Sequence, residues 1–95
     1  MLRLYTHPAC LQHDNGPGHP EAAARLSAVL RALDHDRYAA LDRVEAPRAS
    51  RGQRLRVHTA THVERILAAV PEGETRRLDE DTVLSPGSEQ SALHA

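Results

Sequence analysis

The chain has no phenylalanine, no tryptophan and no lysine, and it carries a single cysteine, Cys10, in 95 residues. Each absence excludes something. Large aromatics dominate the energetics of most cores, and here only Tyr5 and Tyr38 are aromatic. A domain of this size buries only about 60–65% of its unfolded surface, so an independent core would have to be dense. The apolar share of 40% leans on alanine, so the chain is short of buried area for folding alone. One cysteine excludes an internal disulfide and favours a cytoplasmic setting. No apolar run approaches the roughly 20 residues that span a bilayer, and Met1–Thr6 lacks the basic and apolar regions of a signal peptide. The formal net charge is −1, which gives no electrostatic reason to expect nucleic acid. All twelve basic residues are arginine, a bias best explained by a GC-rich genome rather than by anion recognition.

What is present reads as strands alternating with helices. Leu2–Thr6 alternates apolar and polar positions and predicts a strand. His7–His19 holds Pro8, Gly16, Pro17 and Gly18 and predicts a loop. Pro20 suits the first position of a helix, Glu21 favours the positive end of its dipole, and Ala22, Leu26, Val29, Leu30 and Leu33 form one apolar stripe. That helix should end near Asp34–Tyr38. Leu41–Ala46 predicts a second strand, closed by Pro47. Ser50-Arg51-Gly52-Gln53 has the form of a capping box ahead of a short helix, Arg51–Val57. Thr59 or Thr61 should cap the next helix, which runs to about Val70 with Val63, Ile66 and Leu67 on its stripe. Pro71-Glu72-Gly73 is a turn. Arg76–Leu84 reads as irregular. Ser85 should cap a last helix with Pro86 at its first position. The pattern implies an α/β fold with a parallel sheet. Such a sheet needs cover on both faces, and 95 residues supply too few strands. The expectation is an incomplete domain that folds poorly or self-associates alone.

Histidines crowd the start of the chain. His7, Cys10 and His13 share a three-residue spacing, and His19 would complete a tetrahedral set for zinc. A small metal-binding module is therefore one alternative, and an interaction module with exposed helices is another. Asp34-His35-Asp36 reads as a solvated helix end, because neighbouring helical residues diverge by about 100°. His58 and His62 stand four apart, and a capped helix with polar positions accounts for them. Arg25 follows just over one turn after Pro20, where its stem could lie along the core edge. Asp79-Glu80-Asp81 reads as an acidic loop.

His13-Asp14-Asn15-Gly16-Pro17-Gly18-His19-Pro20-Glu21 with Arg25-Leu26, then Val57-His58-Thr59, then Asp81-Thr82 with Ser85-Pro86-Gly87-Ser88, together resemble the N-terminal part of the zinc-dependent histone deacetylase family. The likeness is to its bacterial class II-like branch, with acetylpolyamine amidohydrolases and acetoin-utilisation proteins as relatives. Ala24 departs from that pattern, where relatives often have proline. The resemblance implies an arginase/deacetylase-type α/β fold, of which residues 1–95 would be the opening part. It implies an entrance loop bearing His13 and His19, an arginine at Arg25 lining a cavity used by departing acetate, and a rim aspartate that accepts substrate backbone N–H groups, at Asp81 or, in the second-choice register, Asp79. The family's substrates are acetylated lysine or polyamine amides. Its zinc, its paired catalytic histidines and its oxyanion donor match nothing in this chain, so no catalytic residue and no bound zinc are expected here.

Overall fold

A computed structural model describes residues 2–95. Strand β1 (Arg3–Thr6) leads into a 3-10 turn at Pro8–Leu11, then helix α1 (Ala23–Leu33) and a second 3-10 turn at Asp36–Tyr38. Strand β2 (Asp42–Glu45) follows, then helices α2 (Arg51–Arg54) and α3 (Ala60–Ala69). A hairpin of β3 (Arg76–Arg77) and β4 (Val83–Leu84) precedes the last helix, α4 (Ser88–His94). β1 pairs in parallel with β2, with Arg3 opposite Asp42 and Thr6 opposite Glu45. β1, α1 and β2 thus make one β-α-β passage, the local unit from which parallel sheets are built. The chain is a small mixed helix–strand protein with a parallel strand pair, as the alternating pattern implied.

Paired residues of a parallel ladder share a face. One face carries Arg3, Tyr5, Asp42 and Val44. There the Arg3 guanidinium meets Asp42 at 2.7 Å, and Tyr5 stays 53% exposed. From the other face Arg43 reaches the Leu33 carbonyl and stands near Asp34 at 3.7 Å, which ties β2 to the end of α1.

Several boundaries depart from the sequence expectations. α1 begins at Ala23 rather than Pro20, because both backbone groups of Glu21 are already taken. Its N–H donates to His19 Nδ1 and its carbonyl accepts from Asn15 Nδ2. Residues Pro8–Leu11, expected as loop, wind into a turn whose cap is the His7 side chain accepting from the Ala9 N–H. α2 stops at Arg54, since the apolar side chains beyond it, Leu55 and Val57, find no surface to cover and stay exposed. Arg76–Leu84 is a hairpin, not irregular chain. Its turn is closed by Leu78 and Asp79, whose N–H groups both donate to the Thr82 carbonyl.

Two of the three capping expectations hold. Both halves of the Ser50–Gln53 box are formed. Thr59 is the residue that caps α3, accepting from the His62 N–H. Val70 is extended as a residue before proline should be. The helix Ser88–His94 starts two residues later than expected, with Gly87 rather than Ser85 at its cap position and no side-chain cap, because the Ser85 hydroxyl is taken by the Asp14 N–H; the Ser85 carbonyl still accepts from the Ser88 N–H.

Little is buried. The apolar core among the described residues is Ala9, Val63, Leu84 and Leu93. The accessible surface is 7009 Å², against about 5,400 Å² for a compact monomer of 10.4 kDa. The radius of gyration is 15.1 Å, against about 12 Å for a compact 95-residue domain. Light scattering should therefore read a mass above 10.4 kDa for the isolated chain. A monomer with a sharp cooperative melt would contradict this.

Gly87 is where loop and helix meet most closely. A Cβ there would run into the Gln12 backbone, whereas one at Gly73 would meet open space. Gly87→Ala should cost about 1–3 kcal/mol in denaturant titration, the usual penalty of overpacking, with Gly73→Ala near neutral.

Candidate functional site

Two segments far apart in sequence meet on one side of the molecule. The first is the Gly- and His-rich loop from His13 to Glu21. Local side chains fix its shape. Asp14 Oδ1 accepts the Gly16 N–H at 2.8 Å, and Asn15 Nδ2 donates to the Glu21 carbonyl at 2.6 Å. Gly16 and Gly18 take φ of +84° and +79°, the left-handed region that other residues enter only at a cost. His19 then sits at the loop's exit with both ring nitrogens engaged.

The second segment is the acidic turn of the hairpin. Asp79 Oδ1 accepts the Asp81 N–H at 2.9 Å. That bond, with Thr82 donating as well, holds the Asp79 carboxyl below its ordinary range. The two segments join where His19 Nε2 donates to the Asp81 carbonyl at 2.9 Å, across 62 positions of sequence. Asp81 is exposed, so the turn is held through its backbone while the carboxylate faces solvent.

A buried polar cluster anchors the same loop at its other end. Ser85 and Ser88 are 3% and 4% exposed. Ser85 Oγ accepts the Asp14 N–H at 2.9 Å, and Ser88 Oγ accepts the Ser85 N–H at 2.7 Å. The two hydroxyls are 3.2 Å apart, and His13 Nδ1 lies 2.6 Å from Ser88 Oγ. Every buried side-chain nitrogen and oxygen among the described residues has a partner. An open cleft of about 600 Å³ lies beside this cluster, between Asp14 and Ser85 on one side and Glu74 and Thr75 on the other.

The remaining candidates disperse. Arg25, expected to line a cavity, lies on the surface and pairs with Glu21 at 3.0 Å, one helical turn away. The four early metal-ligand candidates do not converge. His7 caps its turn and stacks on His94 with ring centroids 3.8 Å apart. Cys10 Sγ lies 3.9 Å from the Ser91 carbonyl, His13 meets Ser88, and His19 meets Asp81. Among the described residues no three His, Cys, Asp or Glu side chains gather as a metal site. His35 caps a turn through Nδ1, accepting from Arg37, in keeping with a solvated helix end at Asp34–Asp36. His58 and His62 have ring centroids 5.1 Å apart and line a small apolar groove of about 160 Å³ together with Val63, Ile66 and Leu93. No helix among the described residues is long and apolar enough to cross a membrane.

Sequence reasoning gave no structural role to Asn15, Asp79 or Ser88, each of which fixes a site element. Two of them had a signal. Ser85-x-x-Ser88 has the spacing of a capping box, and Asp79 stands two residues before the N–H it accepts, the spacing of an Asx turn. No protein-family model matches the chain, and no curated protein matches it.

The acidic turn has a defined pH limit. The carboxyl of Asp79 is held lower in the folded chain than in the unfolded one, so its contribution is complete above the ordinary aspartate value and is lost as pH falls through the lowered one. In an NMR titration the Asp79 carboxyl carbon should keep its ionised shift down to about pH 4 and move only below it. Movement of that carbon between pH 5 and 7 would contradict this.

Proposed function

We propose that this chain supplies one wall of the entrance to a zinc-dependent amide hydrolase of the deacetylase type. In this reading residues 1–95 are the N-terminal part of an arginase/deacetylase-type α/β domain, cytoplasmic, acting on acetylated lysine or polyamine. The observation that carries the reading is the His19–Asp81 contact. It unites the two motif segments of the resemblance into one rim, with the Asp81 carboxylate directed outward. The β-α-β passage and the excess of exposed surface support it, because both are what an α/β domain would leave if its other strands and helices lay elsewhere.

The chain's own residues then have limited tasks. Asp81 orients substrate by accepting backbone N–H groups, since charge-assisted bonds are about twice as strong as neutral ones. His13 and His19 shape the entrance loop. Arg25 needs further structure around it before it can line a cavity. Its present partner, Glu21, is 67% exposed, so the pair is weak and easily exchanged. In such a hydrolase zinc would polarise the acetyl carbonyl and activate water. The residues described here do not fit as its ligands, and no step through it is assigned to them. By itself the chain should be inactive.

The test is the reading frame beyond codon 95, followed by kinetics of the protein it encodes. Continuation into paired histidines and an Asp-x-His motif is expected. In that protein Asp81→Ala should raise KM for an acetyl-lysine peptide by roughly tenfold or more, the worth of a hydrogen bond to a charged group, with a smaller effect on kcat. A stop at codon 96, or an unchanged KM, would overturn the reading.

A further inference from the structure

His19 does more than shape a loop. Its two contacts fix its protonation state without ambiguity. The Glu21 backbone N–H can only donate, so Nδ1 must be an unprotonated acceptor. The Asp81 carbonyl can only accept, so Nε2 must carry the hydrogen. The ring is therefore the neutral Nε2–H form, held from both sides. His7 and His35 likewise accept, through Nδ1, a backbone N–H two residues along, but among the described residues only His19 adds a bond from Nε2 to a distant backbone carbonyl; His7 Nε2 stands 3.4 Å from Glu45 Oε1 instead.

We propose that His19 is a proton-sensitive positioning residue, a latch that in its neutral form holds the Asp81 turn against the Gly-rich loop and releases it when protonated. A proton on Nδ1 would face the Glu21 N–H, donor against donor. The ring would turn away from Glu21, and the Nε2 bond to Asp81 would lose its alignment. The charged groups around the latch are Glu21 on the loop, Arg25 on α1, and Asp79 and Asp81 on the hairpin turn. Glu21 is already paired with Arg25. Asp79 is already bonded to the Asp81 N–H. The Asp81 carboxylate is the group freed to meet an imidazolium, and doing so would withdraw it from its outward position. The imidazole is the side chain whose ordinary charge change falls between about pH 5 and 8.

The role in substrate orientation rests on the proposed hydrolase reading, but the latch can be tested without it. Nitrogen-15 NMR of the histidine rings in this chain should show His19 at neutral pH with Nδ1 unprotonated and Nε2 protonated. His58 and His62, whose rings have no hydrogen-bond partners among the described residues, give the comparison in the same sample. The Glu21 and Asp81 amides should shift together with the His19 ring on acidification. His19→Gln keeps a donor in the Nε2 position and should hold the Asp81 amide at its folded shift with no pH response between 5 and 8. His19→Asn keeps only the Nδ1-like acceptor and should lose the Asp81 contact at every pH. A His19 ring with the mixed tautomers of His58 and His62 would overturn the latch, and so would an Asp81 amide indifferent to both variants. In an active hydrolase the wild type should show KM rising roughly tenfold from pH 7.5 to 5.5, with kcat much less affected and the rise absent in His19→Gln. A latch confirmed by NMR with no such KM dependence would reject the substrate role alone.

Discussion

The Asp14 N–H bonded to the buried Ser85 hydroxyl is the contact on which the site depends. It seats the N-terminal loop against the start of α4. Ser88 completes the seat from inside the helix, accepting the Ser85 N–H and meeting His13. Gly87 permits the approach, because a side chain there would collide with Gln12. With the loop held at Asp14, the four residues Asn15–Gly18, two of them left-handed glycines, bring His19 to the hairpin turn. A shift at Ser85 would therefore be felt at Asp81.

This arrangement relies on polar bonds where larger domains rely on apolar burial. Four buried apolar side chains leave little dispersion energy to define positions. The buried serines are fully satisfied instead, and satisfied polar clusters specify geometry well. The same economy makes the rim sensitive to protons. A histidine that joins two segments through a backbone donor and a backbone acceptor has only one protonation state compatible with both. The exposed face of the β1–β2 pair and the surplus surface belong to the same picture. The sheet begins but is not covered, as parallel sheets normally are.

The legible parts of the fold were those encoded within a few residues. Ser50 and Gln53 announce their own capping box, Thr59 its helix, and the alternation at Leu2–Thr6 a strand. The parallel pairing with β2 followed from the helix between them. The hairpin was hidden because its strands are two residues long and Arg76-Arg77 shows no apolar alternation. The start of α1 was misplaced because Pro20 and Glu21 look like a first helical turn until Asn15 and His19 claim the Glu21 backbone. At the site, His13, His19 and Asp81 could be named from motif order. Their partners could not, since 75 residues separate His13 from Ser88 and 62 separate His19 from Asp81. Arg25 reads as a cavity residue only by resemblance. In this structure its side chain is mostly exposed and it pairs with the carboxylate of Glu21, four residues back.

Amide hydrogen exchange of Asp14 against Ser85 tests the central claim most directly. Both N–H groups donate into the same buried serine cluster, so they should be protected alike and open together as one unit. Matching protection would establish that the N-terminal loop is part of the folded structure. Rapid exchange at Asp14 with slow exchange at Ser85 would mean that α4 keeps its own start while the loop is loose, and the rim would then have no fixed geometry.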